Sequence, residues 1–326
     1  MKAALIVNPR SGGTNRKGLR LAETLRHTDI DVTILDRFET LAPTLERLAA
    51  AATETLFISS GDGTIQEIQT RIAEDGLFKR FPTLCLLPHG STNMTAADIG
   101  FSDRSPERQR AMILAAGRGE ADGRCITRPT VRVENPADGR PRHGMFLGGG
   151  AIAAATLYCQ RAFNRRGIRG GLANAATLAV AVGRTLLGLG GDETERFDRP
   201  HPMTIRVEGE PRHEGDQLAV LVTTLEKLIL GARPFWGGGG GGMRVSVFGH
   251  PPPRFLLRWL PAVMYGDEER RLPENMHSYI ATTLEIATSS GFILDGEAFM
   301  PPQDEPLRIS LGPEFTYLTG QDDTGP

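Results

Sequence analysis

The sequence predicts an α/β fold in two parts, a doubly wound β/α domain followed by an antiparallel β-sandwich. Three observations predict it. Continuous apolar runs at 3–7, 56–58 and 84–87 each stop at a turn of small residues, as strands buried on both faces of a parallel sheet do. Helical periodicity separates them, at 18–27, 41–52 and 65–74, with a further strand at 31–35; that alternation is β/α winding. Beyond a boundary between residues 119 and 128 the pattern changes to short alternating strands, at 130–134, 144–148, 203–207, 218–223, 244–248, 279–286 and 292–294. Spacing of that kind predicts a sandwich. The last strands, 307–311 and 315–318, are expected to return to the first domain, which divides the chain into 1–124, 125–305 and 306–326. A chain of 326 residues is comfortable for two domains.

The turns carry the chemistry. In Ser60-Gly61-Asp62-Gly63-Thr64 the glycines let the backbone turn sharply and let a ligand reach amide N–H groups. Thr64 is placed to cap the helix that follows, whose N-terminus attracts phosphate. An acid there would repel bare phosphate, so Asp62 implies a magnesium ion or a hydroxyl proton nearby. The first turn is Asn8-Pro9-Arg10-Ser11-Gly12-Gly13 and the third is Leu87-Pro88-His89-Gly90-Ser91-Thr92-Asn93. In doubly wound sheets such turns gather at the carboxyl ends of the strands, where ligands bind. Three of them predict a nucleotide cleft.

Together with Asp295-Gly296-Glu297, these segments resemble the diacylglycerol kinase catalytic family, which includes bacterial diacylglycerol kinases, sphingosine kinases and ceramide kinases. The shared pieces are Asn8-Pro9-Arg10-Ser11-Gly12, Ser60-Gly61-Asp62-Gly63-Thr64 with Glu67, Leu87-Pro88-His89-Gly90-Ser91-Thr92-Asn93 and the late Asp295-Gly296-Glu297. Ser60 stands where a glycine is commoner, as in sphingosine kinases, and Gly90-Ser91-Thr92 is similar to the ceramide kinase form. Met94 occupies a position where bacterial diacylglycerol kinases usually carry Asp. These departures move the expected acceptor toward ceramide, with diacylglycerol or sphingosine as alternatives.

The resemblance implies ATP and Mg2+ as cofactors, an active site in the interdomain cleft, and γ-phosphoryl transfer to a lipid hydroxyl. Asp62 is then the first candidate base and Glu297 the second, while Asp295 is the candidate metal ligand. Asn8, Arg10, Ser11 and Gly12 would contact nucleotide, as would Ser60, Gly61, Gly63, Thr64, Gly90, Ser91 and Thr92. Asn93 would fix its loop or meet the adenine, and Glu67 would orient the first loop or the ribose. Taken without the resemblance, Asp295 and Glu297 read as a hairpin turn after 292–294. His89 tempts as a base, but its slot accepts varied residues in the family.

Composition narrows the partners. A net charge of −2 argues against nucleic-acid binding. The three scattered cysteines, Cys85, Cys125 and Cys159, have no metal-ligand spacing and are expected to pack as small apolar residues in a reducing, cytoplasmic setting. No signal peptide precedes the first strand. The stretch 171–191 barely approaches the length of a membrane span and reads as a soluble helix at 172–187. The run of glycines at 237–242 reads as a loop, and leaves no acid where the family often has a metal-binding turn. Residues 139–191 hold seven arginines and no acid. Arg161, Arg165, Arg166 and Arg169, beside apolar neighbours, suit transient docking on an anionic inner membrane surface. Two other functions fit parts of the pattern: an NAD kinase or sugar kinase sharing the glycine–aspartate turn, and a catalytically silent nucleotide- or lipid-binding relative.

Overall fold

The computed structural model describes residues 2–12, 14–90, 92–101, 105–120, 123–166, 199–236, 240–251 and 256–319. The chain divides into two compact units. Among the described residues the first comprises those up to Arg128 and those from Pro313 onward, and the second those from Pro129 to Gly312. These changeovers differ from the expected 124/125 and 305/306. The predicted helix at 172–187 lies outside the described residues.

In the first unit, β1 (Ala3–Val7), β2 (Asp31–Ile34), β3 (Thr55–Ser60) and β4 (Thr83–Pro88) form a parallel sheet in the order β2-β1-β3-β4. The last part of β15 (Leu307–Leu318) extends it, Tyr317 pairing with Leu84. Every residue of β1 and β3 is buried, which is why these strands read as unbroken apolar runs. The helices are α1 (Arg16–Thr24), α2 (Leu41–Ala50), α3 (Asp62–Glu74), α4 (Met94–Asp98) and α5 (Pro106–Arg118). α1 turns Leu21 and Ala22 toward the core; α5 starts at the Ser105 cap with Pro106 in its first turn and ends at Gly119 with φ 79. α4 and α5 were not expected. α4 is too short to show a period, and α5 mixes charged with apolar positions.

The order β2-β1-β3 reverses direction between β1 and β3. In sheets of this kind that reversal opens a crevice at the strands' carboxyl ends. It falls between the first and second of the predicted turns.

In the second unit the named ladders are antiparallel. One runs β14 (Glu297–Phe299), β13 (Phe292–Leu294), β7 (Phe146–Gly150), β9 (Asp216–Thr223), β10 (Met243–Gly249), β11 (Met276–Ala281). Another joins β8 (His201–Val207), β12 (Thr283–Thr288) and the start of β15, while β5 (Cys125–Val133) pairs with β6 (Arg142–Gly144). Inward residues of both ladders, such as Ile205, Val207, Val222, Val245, Leu284 and Ile309, share one core, as the layers of a sandwich do. α6 (Ala151–Arg166) and α7 (Leu256–Tyr265) belong to this unit.

Three boundaries differ from the sequence reading. The strand expected over 279–286 breaks at Thr282, where the chain leaves the β10 ladder for the β8 ladder. The strand expected over 144–148 breaks at Met145, whose N–H donates to the Asp295 carboxylate at 2.9 Å instead of to a neighbouring strand. The strands at 307–311 and 315–318 are one, because Gly312-Pro313 continues the extended chain. Cys85 is buried, and burial pushes its thiol pKa up, whereas Cys125 is exposed and does not pack as a core residue. Among the described residues no helix is long and apolar enough to cross a membrane.

Candidate functional site

The first turn folds on itself around Asn8. Its Oδ1 accepts from the Arg10 N–H at 3.0 Å, and its carbonyl from the Ser11 N–H at 3.3 Å. Its Nδ2 donates to Thr64 Oγ1 at 2.9 Å. That bond corrects the expectation that Thr64 caps α3. The N-cap is Gly61, in an extended conformation, and Thr64 sits inside the first turns holding the first loop to the second. Arg10 is exposed, and Gly12 takes φ 60, in the left-handed region that suits glycine.

Backbone contact brings the loops together. A Cβ on Gly90 would lie 2.4 Å from Gly61 Cα, and one on Gly61 would lie 3.2 Å from Ser11 Oγ. Only glycine at 90 allows that approach. The third turn is closed by Asn93, in the left-handed region at φ 51, whose Oδ1 accepts from Gly90 N–H at 2.7 Å and whose Nδ2 donates to Gly90 O at 2.9 Å. Thr92 is exposed and Ser91 lies outside the described residues. Ser60 is buried, and its Oγ has no hydrogen-bond partner among the described residues. A buried hydroxyl left so is costly unless a ligand or water completes it.

Asp62 opens α3, and its carboxylate accepts from Met94 N–H at 3.2 Å and Thr95 N–H at 3.4 Å. It therefore also anchors α4, and Met94 contributes its backbone, whatever its side chain. Burial raises the Asp62 pKa above its ordinary 3.8, against the lowering pull of these N–H groups. Gly63 follows within α3, and Glu67, buried one turn further, pairs with Arg71 Nε at 2.8 Å. That ion pair along the helix is a partner the sequence reading did not give it.

Asp295 and Glu297 lie in the second unit, as the hairpin joining β13 to β14. Asp295 at φ 48 and Gly296 at φ 88 make a two-residue turn of the kind Asp-Gly favours. The Asp295 carboxylate is buried and accepts from Met145 N–H and from Phe146 N–H at 3.0 Å. Gln160 Nε2 donates to Gly296 O at 2.6 Å, and Glu297 is exposed. The first unit thus collects Asn8, Ser11, Ser60, Gly61, Asp62, Thr64, Gly90 and Asn93, and the second holds Asp295 and Glu297.

Asn15 was missed. It caps α1, accepting from Gly18 N–H at 2.8 Å, while its Nδ2 reaches Asn8 O at 3.2 Å and Ser59 O at 3.0 Å. An Asn just before an amphipathic stretch is a legible N-cap; its grip on the first turn is not.

Residues 2–122 match the family model described as the diacylglycerol kinase catalytic domain. Two solved structures described as a diacylglycerol kinase from Bacillus anthracis str. Sterne, the first provisionally so, are each 16% identical to this chain. They cover 98% of it over 97% of their own length, with TM-scores of 0.66 and 0.62. At that identity the likeness speaks for the fold. No curated protein matches the chain. The match falls on the doubly wound part of the first unit, with its phosphate-type turns at the switch point, and its description is that of a lipid-kinase catalytic domain. Over residues 2–122 the chain is similar to the diacylglycerol kinase catalytic family.

Two outcomes follow. Gly90→Ala, whose Cβ meets backbone that cannot swing aside, is expected to lower ATP affinity at least tenfold in calorimetric titration. With its folded-state pKa raised, Asp62 holds its proton longer in the folded chain, so stability falls as pH rises from about 3.8 through the folded-state value. Urea denaturation of wild type against Asp62→Asn across pH 4–7 reads this: the wild type should lose stability relative to the variant as pH rises.

Proposed function

We propose that this chain transfers the γ-phosphoryl group of ATP to the primary hydroxyl of a lipid, with ceramide as the acceptor. The observation that carries the proposal is the contact of three glycine-bearing turns at the carboxyl ends of β1, β3 and β4, which leaves backbone N–H groups free of Cβ obstruction. Phosphoryl transfer asks mainly for positioning and charge stabilisation, and this is a rigid cradle. Ser11, Thr64 and Thr92 offer hydroxyls, Arg10 a fork of donors and Ser60 an unfilled hydroxyl.

Asp62 is proposed to take the acceptor proton as the lipid oxygen bonds to phosphorus and the bond to the β-phosphate oxygen breaks. Two of its roughly four lone-pair directions are filled by Met94 and Thr95 N–H. Burial has raised the proton affinity of this carboxylate, against the pull of the N–H groups it accepts from. Glu297 is the second candidate, exposed on its hairpin.

Among the described residues no three His, Cys, Asp or Glu side chains cluster as a metal site. That fits an ion held chiefly by phosphate oxygens and water with one or two carboxylates, as magnesium is with nucleotides. Asp295 is the residue proposed to hold it, and when bound it would offset phosphate charge.

Acceptor choice rests on Ser60 and Gly90-Ser91-Thr92 alone. Diacylglycerol is the second reading, favoured by the matching family model. The chain is proposed to work in the cytoplasm and to visit the anionic inner membrane surface. Arg161, Arg165 and Arg166 fall on the last turns of α6; Arg169 lies outside the described residues.

A radiolabelled ATP assay in mixed micelles should phosphorylate ceramide fastest among ceramide, sphingosine, diacylglycerol and acylglycerol. Asp62→Asn should lower kcat by roughly 10²–10⁴-fold. Preferential labelling of diacylglycerol replaces the acceptor; labelling of NAD with no lipid overturns the proposal, as does nucleotide binding without turnover. On anionic liposomes, changing Arg161, Arg165, Arg166 and Arg169 to Glu should abolish flotation, and unchanged flotation removes the docking surface.

A further inference from the structure

Beneath the cradle runs a chain of buried polar groups that phosphate chemistry does not use. Asn15 Nδ2 donates to Ser59 Oγ at 2.9 Å, and Ser59 Oγ lies 2.8 Å from His89 Nδ1. The imidazole is also hydrogen-bonded to the Gln109 side chain. Asn15, Ser59 and Gln109 are almost completely buried. They come from the cap of α1, the end of β3 and the first turn of α5, and His89 begins the third turn.

Burial, helped by Lys17, lowers the His89 pKa to about 4, so the ring is neutral near pH 7 and carries one N–H. A neutral ring can be held on both nitrogens at once, one donating and one accepting. Ser59 Oγ, which accepts from Asn15, meets it at Nδ1.

Resting on the nucleotide reading above, we infer that His89 is a positioning residue for the cradle: it ties the third turn, through Ser59 and Asn15, to the carbonyl of Asn8 in the first. The same Asn15 amide that holds Ser59 Oγ also holds Asn8 O. The third turn thus meets the second by glycine contact and the first by this polar chain. Gly18 supports the assignment independently. A Cβ there would lie 2.1 Å from Ser59 Oγ and 2.6 Å from Asn15 Nδ2, so the first turn of α1 lacks a side chain just where the network passes.

The protonation of His89 is read first, without nucleotide, by long-range proton–nitrogen NMR of the imidazoles at pH 7. His89 should show a neutral ring with a single N–H; a charged ring overturns the inference. In steady-state kinetics His89→Phe should raise KM for ATP about fivefold or more with kcat within about twofold. His89→Asn, which returns a hydrogen-bonding group near the place of Nδ1, should recover most of the loss. Gly18→Ala, a change that stabilises an ordinary helix, should raise KM for ATP in the same way from the other end of the chain. Unaltered KM in both His89→Phe and Gly18→Ala, with thermal melts showing folded protein, sinks the positioning role. A wild-type chain that binds no ATP fails differently: it overturns the nucleotide reading, and this role with it.

Discussion

Gly61 and Gly90 approach so closely that a single added carbon on Gly90 would sit 2.4 Å from the other's Cα. Most of the first unit can be understood as the means of holding two backbones at that distance. β3 and β4 are adjacent parallel strands in register from Thr55↔Thr83 to Ser60↔Pro88, so their turns emerge side by side. Fully buried strands beneath them leave little freedom for one turn to slide against the other. The second turn then starts α3 at Gly61, and the third starts α4 at Asn93. Both helices present N-terminal N–H groups near the same place.

Asp62 shows how one side chain can satisfy fold and chemistry together. Its carboxylate takes the orphan N–H groups at the start of α4, a service any N-terminal cap could provide. It does so from another helix, buried, where a charge is expensive. A serine or asparagine cap would serve α4 at lower cost. An acid at this place is what the proposed proton transfer would call for.

Much of this was legible in the sequence because its cause was local. Buried parallel strands write themselves as apolar runs, and turns that need glycine contain it at Gly61 and Gly90. The Asp-Gly hairpin at Asp295-Gly296 follows from the two positive φ angles its turn requires. What escaped notice depends on partners distant in sequence. Met145 interrupts a strand because Asp295, 150 residues away, accepts its N–H. Thr64 looks like a cap until Asn8, 56 residues earlier, is seen to donate to it. Glu67 looked free for a ligand, yet lies against Arg71 on its own helix. The short α4 and the mixed surface of α5 gave no clear period, so the segment after the third turn stayed blank.

The return of β15 carries a consequence for how the molecule is made. Phe315, Tyr317 and Leu318 are buried in the core of the first unit; Tyr317 Oη accepts from Gln69 at 2.6 Å, and Phe315 stacks on Phe81 at 4.9 Å. Until these residues leave the ribosome, β4 has an open flank of unpaired backbone groups, a surface prone to recruit stray strands. The segment carrying the three turns is therefore translated early but completed last, and a fragment stopping near residue 122 would keep that raw edge. Chaperone demand during synthesis should fall mainly in the interval between those two events.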